Sequence, residues 1–238
     1  MKPYILLVLL AALASNPRCE VADRTSDTIP VTGALVINAW QPADGVLKAL
    51  VEVGSQNHLP LGVVIQGDVL CSPQAASRNT TVTIGELVRQ LRARTPTYTA
   101  AIEDGTLVVR PAALDAETHD VLLLRIPRFR TQRASLEEIG IGLWMNLRAV
   151  LIPSQGSAFV GGLQKGAEEI PPLDMSDVTV QSALNYIVTR GQGGIWIMHS
   201  VPKGWRSDPE KMRFTAISYS GDESSLRQVS CSDQDAFR

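Results

Sequence analysis

Residues that form most metal and redox sites are scarce in this sequence. Its 238 residues include 3 histidines and 3 cysteines, and 5% of them are aromatic. His58, His119 and His199 all lie far in sequence from any cysteine, so the ligand spacing of a zinc site is missing. We therefore predict no metal site and no cofactor.

The chain also lacks a strong excess of charge of either sign. It has 22 basic and 24 acidic residues and a formal net charge of −2, whereas proteins that bind nucleic acid or acidic membranes are usually strongly basic. Neither kind of partner is predicted. Beyond the N-terminus no apolar run approaches the roughly 20 residues of a membrane-spanning helix, so we expect no integral membrane segment in the mature chain.

The longest apolar run lies at the N-terminus, in MKPYILLVLLAALAS. It combines a positive Lys2, an apolar stretch and the small-x-small pattern Ala-Leu-Ala, which are the parts of a secretory signal peptide. We predict that residues 1–14 are removed on export to the periplasm or the extracellular space, which leaves 15–32 as an N-terminal segment. An uncleaved membrane anchor is the alternative interpretation.

Cysteines and sequence motifs give little support for an enzyme. An exported chain can form one disulfide from Cys19, Cys71 and Cys231, and the sequence leaves the choice among the three pairings open. No serine lies in a Gly-x-Ser-x-Gly turn. The adjacent residues Glu137 and Glu138 would point in different directions on a helix, as on a solvated surface. We predict no catalytic residues.

What the sequence does contain is one order of elements that occurs twice. In the first half, β-forming runs at 34–40 and 59–70 predict strands on either side of a helix at 45–56. A further strand and helix follow in NTTVTIGELVRQL, and Asp104-Gly105 between two short runs predicts a hairpin. The order is strand, helix, strand, strand, helix, hairpin.

The second half repeats this order and adds a glycine-rich loop over residues 154–166. Ser135 and Glu138 have the spacing of a helix capping box, and DVTVQSALNYIV changes from strand-like to helix-like periodicity. The predicted segments are strands at 121–129 and 149–153, a helix at 135–147, and a hairpin of 194–201 with 212–220.

Both halves contain the same switch from strand to helix. Val178 lies 96 positions after Val82, and each valine is followed by a threonine, Thr83 or Thr179. A threonine at this point can cap a helix, because its hydroxyl accepts a hydrogen bond from an otherwise unpaired backbone N–H. We predict that both threonines are helix N-caps.

The repeat predicts an α+β chain with two tandem small domains, each with about two helices packed on small mixed sheets. AALDAET lacks periodicity and is the predicted linker. The boundaries are 33–111 for the first domain, 112–118 for the linker, 119–220 for the second domain and 221–238 for a polar tail.

Both halves resemble the short N-terminal (STN) domain of secretins and TonB-dependent transducing receptors. INAWQPADGVLKAL, NTTVTIGELVRQL and TYTAAIEDGTLVVR carry the resemblance in the first half, and LRIPRF, SLEEIGIGLW and SDVTVQSALNYIV carry it in the second. The resemblance implies two helices packed between two small sheets, and no catalysis. STN domains are periplasmic modules that dock on neighbouring secretion-ring subunits or on regulatory proteins, so it also implies a protein partner in the cell envelope.

Three residues are predicted to contact such a partner: Arg128, Arg130 and Trp205. The two arginines share one side of a strand in RIPRFRTQR, although a charged edge that prevents aggregation is the alternative. Trp205 lies in the polar stretch PKGWRSDPEK, where it would either anchor a protein contact or fold back onto the domain. The remaining large aromatic residues, Trp144, Tyr186 and Trp196, are predicted to be core residues.

Together these features predict an exported, non-enzymatic protein-interaction module that acts in envelope assembly or signalling. The competing interpretation is an envelope hydrolase or a small-ligand-binding protein with a site between the two domains. A cleft lined by titratable groups with perturbed pKa values would favour the competitor. An exposed sheet edge or apolar patch would favour the interaction module.

Overall fold

A computed structural model of the chain describes most residues between positions 35 and 219. The described residues are 35–37, 45–67, 70, 80–151, 169–191, 193–206 and 214–219. The predicted signal peptide, N-terminal segment, glycine-rich loop and polar tail lie outside them, as do all three cysteines. Among the described helices, none is both long enough and apolar enough to cross a membrane.

The first half of the chain follows the predicted order of elements. It contains β1 (Leu35–Ile37), α1 (Val46–Asn57), β2 (Leu61–Ile65), β3 (Thr80–Val82), α2 (Ile84–Arg94), β4 (Tyr98–Glu103) and β5 (Thr106–Pro111). β4 and β5 form the predicted hairpin, and both turn residues, Asp104 and Gly105, have positive φ angles of 50° and 75°. These angles match the two-residue turn that Asp-Gly favours.

The second half has the same general order with one additional short strand, β7, and an additional helix, α3. It contains α3 (Ala116–Leu123), β6 (Arg125–Thr131), β7 (Ala134–Ser135), α4 (Leu136–Leu151), β8 (Glu169–Ile170), β9 (Leu173–Thr179), α5 (Val180–Arg190), β10 (Gly194–His199) and β11 (Phe214–Ser218). The predicted capping box is present, because Ser135 N donates to Glu138 Oε2 at 2.9 Å and Glu138 N donates to Ser135 Oγ at 3.2 Å. The closing hairpin β10–β11 is antiparallel, as predicted.

Two strand predictions in the second half need correction. Residues 149–151 continue α4, and residues 121–123 belong to α3, so that the strand predicted at 121–129 begins only at Arg125. α3 also includes the end of the predicted linker. The cause is Asp115, whose carboxylate accepts the N–H of Thr118 at 2.7 Å and caps the helix. A short apolar run cannot by itself distinguish a strand from the buried stripe of a helix.

Strands from both halves form one five-stranded sheet, in the order β11-β10-β2-β5-β4. β2 lies in the middle and is parallel to both of its neighbours, β5 and β10. β4 and β11 complete the sheet as antiparallel edge strands. The two predicted units therefore share their main sheet, an arrangement that their tandem order in sequence did not predict.

The two faces of the shared sheet bury different helices, because side chains alternate between the faces of a strand. Val63 and Val109 pack in one cluster with α1 and α2, whereas Val64 and Val108 pack in a second cluster with α3, α4 and α5. Two small antiparallel sheets, β1–β3 and β6–β9, pack on the outer sides of these helices. The α+β class, with helices packed on small sheets, is confirmed.

Both predicted threonine caps are present. Thr83 Oγ1 accepts the N–H of Glu86 at 3.2 Å, and Thr179 Oγ1 accepts the N–H of Ser182 at 3.1 Å. We expect Thr83→Ala and Thr179→Ala each to lower the free energy of unfolding by about 1 kcal/mol, because each removes one cap hydrogen bond. Urea unfolding measures the loss, and serine at either position should retain most of the stability. A loss with serine as large as with alanine would contradict the capping role.

A buried asparagine connects the two halves. Asn185 of α5 donates from Nδ2 to the carbonyl O of Glu103 at 3.1 Å, and its Oδ1 accepts the indole N–H of Trp196 at 2.8 Å. The Trp196 ring lies against Gly62 of β2, where an added Cβ would be 2.3 Å from ring atoms. Glycine is therefore required at position 62, and Asn185 holds α5, β10 and the β4–β5 hairpin together.

We expect Asn185→Leu to lower the free energy of unfolding by on the order of 3 kcal/mol. It leaves the buried Trp196 N–H without a partner, which costs roughly 1–3 kcal/mol, and it removes the bond to the half-buried Glu103 carbonyl, which costs about 1 kcal/mol more. Ser182→Ala on the same helix is the control, since it removes a bond to the exposed side chain of Asp104 and should cost less than about 1 kcal/mol. Equal losses in urea unfolding would show that Asn185 has no special role.

Candidate protein-contact surfaces

The predicted contact residues Arg128 and Arg130 lie on the exposed side of β6 and share one carboxylate. Arg130 Nε donates to Asp174 Oδ2 at 2.9 Å, and Arg128 Nη2 donates to the same oxygen at 3.3 Å. Asp174 lies on β9, opposite Arg130 in the β6–β9 ladder. The two arginines do share one side of a strand, as predicted, and their combined charge is partly neutralised.

The other two arginines of this basic stretch are paired as well. Arg125 forms an ion pair with Asp177, and this hydrogen bond raises the pKa of the Arg125 guanidinium. Arg133 Nε lies 3.9 Å from Glu169 Oε2. Since all four arginines have a carboxylate nearby, the geometry favours a charged, protected edge over a site for an anionic ligand.

Trp205 is not an exposed anchor, and that part of the prediction was wrong. The side chain is 2% exposed and packs in the second cluster, together with Val121 and Leu122 of α3. Arg206 covers its ring at 4.6 Å and forms an ion pair with Asp120 at 3.3 Å. The alternative considered for this residue, that it folds back onto the domain, therefore holds. The polar neighbours in sequence gave no sign of this large buried aromatic surface.

The remaining aromatic predictions have mixed outcomes. Trp196 is fully buried, and Trp144 is half-buried against the second cluster. Tyr186 was predicted to be a core residue, which is wrong: it is 36% exposed, and Arg190 lies over its ring at 5.0 Å. The buried side of α5 is formed by Ala183, Leu184 and Ile187, and Tyr186 points away from it because of the helical period.

Groups with shifted pKa values do not converge on one site in the described part of the chain. A hydrogen bond from Gln90 lowers the pKa of Glu86 on α2. Burial raises the pKa of Tyr98, and raises that of Tyr219 far more. The two tyrosine hydroxyls donate to backbone carbonyls, which is a structural role. Within the same residues no cluster of three or more histidine, cysteine or acidic side chains could hold a metal ion.

An apolar surface that the sequence interpretation missed lies on the outer side of α4. Ile141 is 50% exposed, and Trp144 and Met145, three and four residues further along, are half-buried. We call these three residues the α4 outer face. Arg148 lies over the Trp144 ring at 5.5 Å. The sequence IGIGLWMNL could have predicted this surface. It has apolar residues at positions where an amphipathic helix with one buried side would have polar residues.

The fold and its surfaces define an α+β protein in which two helical layers lie on opposite faces of one sheet. Comparisons with protein-family models, with curated proteins and with solved structures found no match. The function is therefore inferred from the residues of this chain.

The burial of Trp205 predicts a loss of stability on truncation. We expect Trp205→Ala to lower the free energy of unfolding by about 3–5 kcal/mol, because it leaves a cavity among α3 and its neighbours. Arg206→Ala should cost less than about 1 kcal/mol, since its ion pair with Asp120 is exposed. Urea unfolding of both variants distinguishes the two roles, and a stability unchanged by Trp205→Ala would instead indicate an exposed contact residue.

Proposed function

We propose that the chain is an exported, non-enzymatic protein-interaction module of the cell envelope, and that its α4 outer face binds a partner protein. The observation that carries the proposal is the exposure of Ile141, at 50%, beside Trp144 and Met145. The partner presents an apolar surface, because the face that it covers is apolar.

α4 has apolar residues on both of its sides. The inner side already supplies the core with Leu136, Ile139, Leu143 and Leu147, all fully buried. Its outer residue Ile141 lies outside this buried stripe, and exposed apolar residues grouped on one side of a helix are typical of a contact surface. Covering the exposed half of Ile141 would contribute about 1 kcal/mol. Trp144 beside it is the residue type most enriched at the centre of protein contacts.

Polar side chains at the contact between α5 and the β4–β5 hairpin are bonded to one another. Glu103 forms an ion pair with Arg110 at 2.8 Å and accepts a hydrogen bond from Gln181 of α5. Asp104 accepts a hydrogen bond from Ser182 at 3.2 Å. An envelope hydrolase or a ligand-binding protein with a site between the halves would need such groups to face an open cleft, so these bonds support an interaction module instead.

The sequence supplies the envelope part of the proposal. The signal-peptide pattern of residues 1–14 supports export, and the resemblance of both halves to STN domains supports a role in envelope assembly or signalling. Arg128 and Arg130 remain candidates for a second contact on β6. A partner there has to compete with Asp174 for the two guanidinium groups.

Replacing Ile141 with glutamate tests the proposed surface. A carboxylate at this position would have to lose its hydration when an apolar partner covers it. We expect Ile141→Glu to weaken partner binding at least about tenfold, or about 1.4 kcal/mol. The measurement is titration calorimetry, with a partner that the intact chain captures from envelope extract and that is then purified.

Leu123→Glu on α3 is the matched control, because Leu123 is 51% exposed and also apolar. This variant should bind the partner as the intact chain does. Thermal unfolding of both variants checks that they are folded. If the intact chain captures no protein, or if both variants bind the purified partner equally well, the α4 outer face is not the contact surface.

A further inference from the structure

The inner side of α4 is already covered by the shared sheet. A Cβ added to Gly140 would be 3.0 Å from the Cβ of Ala216 on β11, so the helix lies directly on this edge strand. Ser218 N of the same strand donates to Glu137 Oε1 at 2.8 Å. A further protein can therefore contact α4 only from its outer side.

The outer side of α4 has complementary residues at equal distances from Leu143. Glu138 lies five positions before Leu143, and Arg148 lies five positions after it. Ile141 and Met145 lie two positions before and two positions after the same residue. Leu143 itself is fully buried, and at about 100° per residue the other four fall on the opposite side of the helix. We call these four residues the outer row of α4.

The outer row is apolar at its centre and has opposite charges at its two ends. Ile141 is 50% exposed, and the other three residues are half-buried. Glu138 Oε2 accepts the N–H of Ser135 at 2.9 Å, and the Arg148 guanidinium lies over the Trp144 ring at 5.5 Å. These contacts fix the positions of both charges relative to the apolar centre.

We propose that the partner of the α4 outer face is a second copy of this chain, bound through antiparallel pairing of the two α4 helices about a two-fold axis level with Leu143. In this arrangement each residue lies opposite the residue of the other copy that is equally far from Leu143. The inference rests on the function proposed above, because it names the partner of the same surface.

The pairing is complementary in both size and charge. Ile141 of each copy lies opposite Met145 of the other, and Glu138 of each copy lies opposite Arg148 of the other. A two-fold interface uses the same patch of both subunits, so every such pair occurs twice. The row has successive spacings of three, four and three residues, as in the seam of paired helices. Two ion pairs would therefore flank an apolar centre.

Trp144 lies beside the outer row and extends the same contact. The two-fold axis brings the Trp144 rings of both copies to the same side of the helix pair. Each ring then lies beside Ile141 of the other copy, and a tryptophan near the centre of an interface is typical of a residue that supplies much of the binding energy.

Other arrangements fit the outer row less well. Parallel pairing of two α4 helices places Arg148 beside Arg148 and Glu138 beside Glu138, and like charges that meet in an interface disfavour it. An entirely apolar partner would cover Ile141 but would also take water from the two flanking charges without pairing them. The antiparallel second copy provides a partner for each charge.

The expected dimer is weak, because the contact is small. α4 has 16 residues and is about 24 Å long, so one face of it buries less than the roughly 1,600 Å² of a standard interface. We expect a Kd on the order of 10–100 µM. Sedimentation equilibrium of the purified, exported chain at low ionic strength measures it. A chain that stays monomeric up to about 1 mM overturns the inference.

A charge swap tests the antiparallel alignment. Glu138→Lys places two positive charges at each end of the contact, and Arg148→Glu places two negative charges there. Each variant alone should dimerise at least about tenfold more weakly than the intact chain. An equimolar mixture of the two should dimerise again, because each end then pairs opposite charges. Thermal unfolding checks that both variants are folded, and folded variants that do not pair when mixed overturn the proposed alignment.

Ile141→Glu tests the apolar centre without changing the capping box. It should weaken dimerisation at least about tenfold, whereas the matched control Leu123→Glu on α3 should leave it unchanged. Dimerisation that Ile141→Glu does not weaken overturns the inference. A monomeric chain that still captures an envelope protein through Ile141 also overturns it, but leaves the proposed function standing. The two can fail separately, because self-association is measured with the purified chain alone.

Discussion

The structure depends on the contact of the Trp196 ring with Gly62, at the centre of a sheet that both halves of the chain build. β2 comes from the first half and β10 from the second, and they pair in parallel with Trp196 opposite Gly62. Asn185 accepts the indole N–H of Trp196 and donates to the Glu103 carbonyl of the β4–β5 hairpin. Because β2 of the first half pairs with β10 of the second, neither half completes the five-stranded sheet alone.

This constraint determines which surfaces are free. With one face of the sheet covered by α1 and α2 and the other by α3, α4 and α5, a partner has to bind outside the two faces of the shared sheet. α4 protects the β11 edge and presents Ile141 outward, so one helix both covers an edge and offers a surface. β4 forms the opposite edge, where Arg92 of α2 donates to the carbonyl of the buried residue Ala100.

Local signals in the sequence predicted much of the fold. The caps Thr83 and Thr179, the Ser135–Glu138 capping box and the Asp104-Gly105 turn all depend on residues within a few positions of each other, and all are present. The shared sheet depends on pairing between β2 and β10, more than a hundred positions apart. Periodicity within a segment contains no information about which distant strand it pairs with.

The errors at the candidate site have a similar cause. Trp205 lies among polar and charged neighbours in sequence, yet its ring packs beside α3. This helix was not predicted, because residues 112–118 were assigned to a linker and residues 121–129 to a strand. Tyr186 was placed in the core because it lies in a helical run, although the helical period points it outward. The α4 outer face could have been predicted, since Ile141 and Met145 fall outside the stripe that the core requires.

Native-state hydrogen exchange tests most directly whether the two halves form one folding unit. The amides of β5, from the first half, and of β10, from the second, should exchange through the same global unfolding event, with equal free energies and equal dependence on denaturant. If the amides of one half remain protected under conditions in which those of the other exchange freely, the halves are independent domains and the shared sheet does not hold them together.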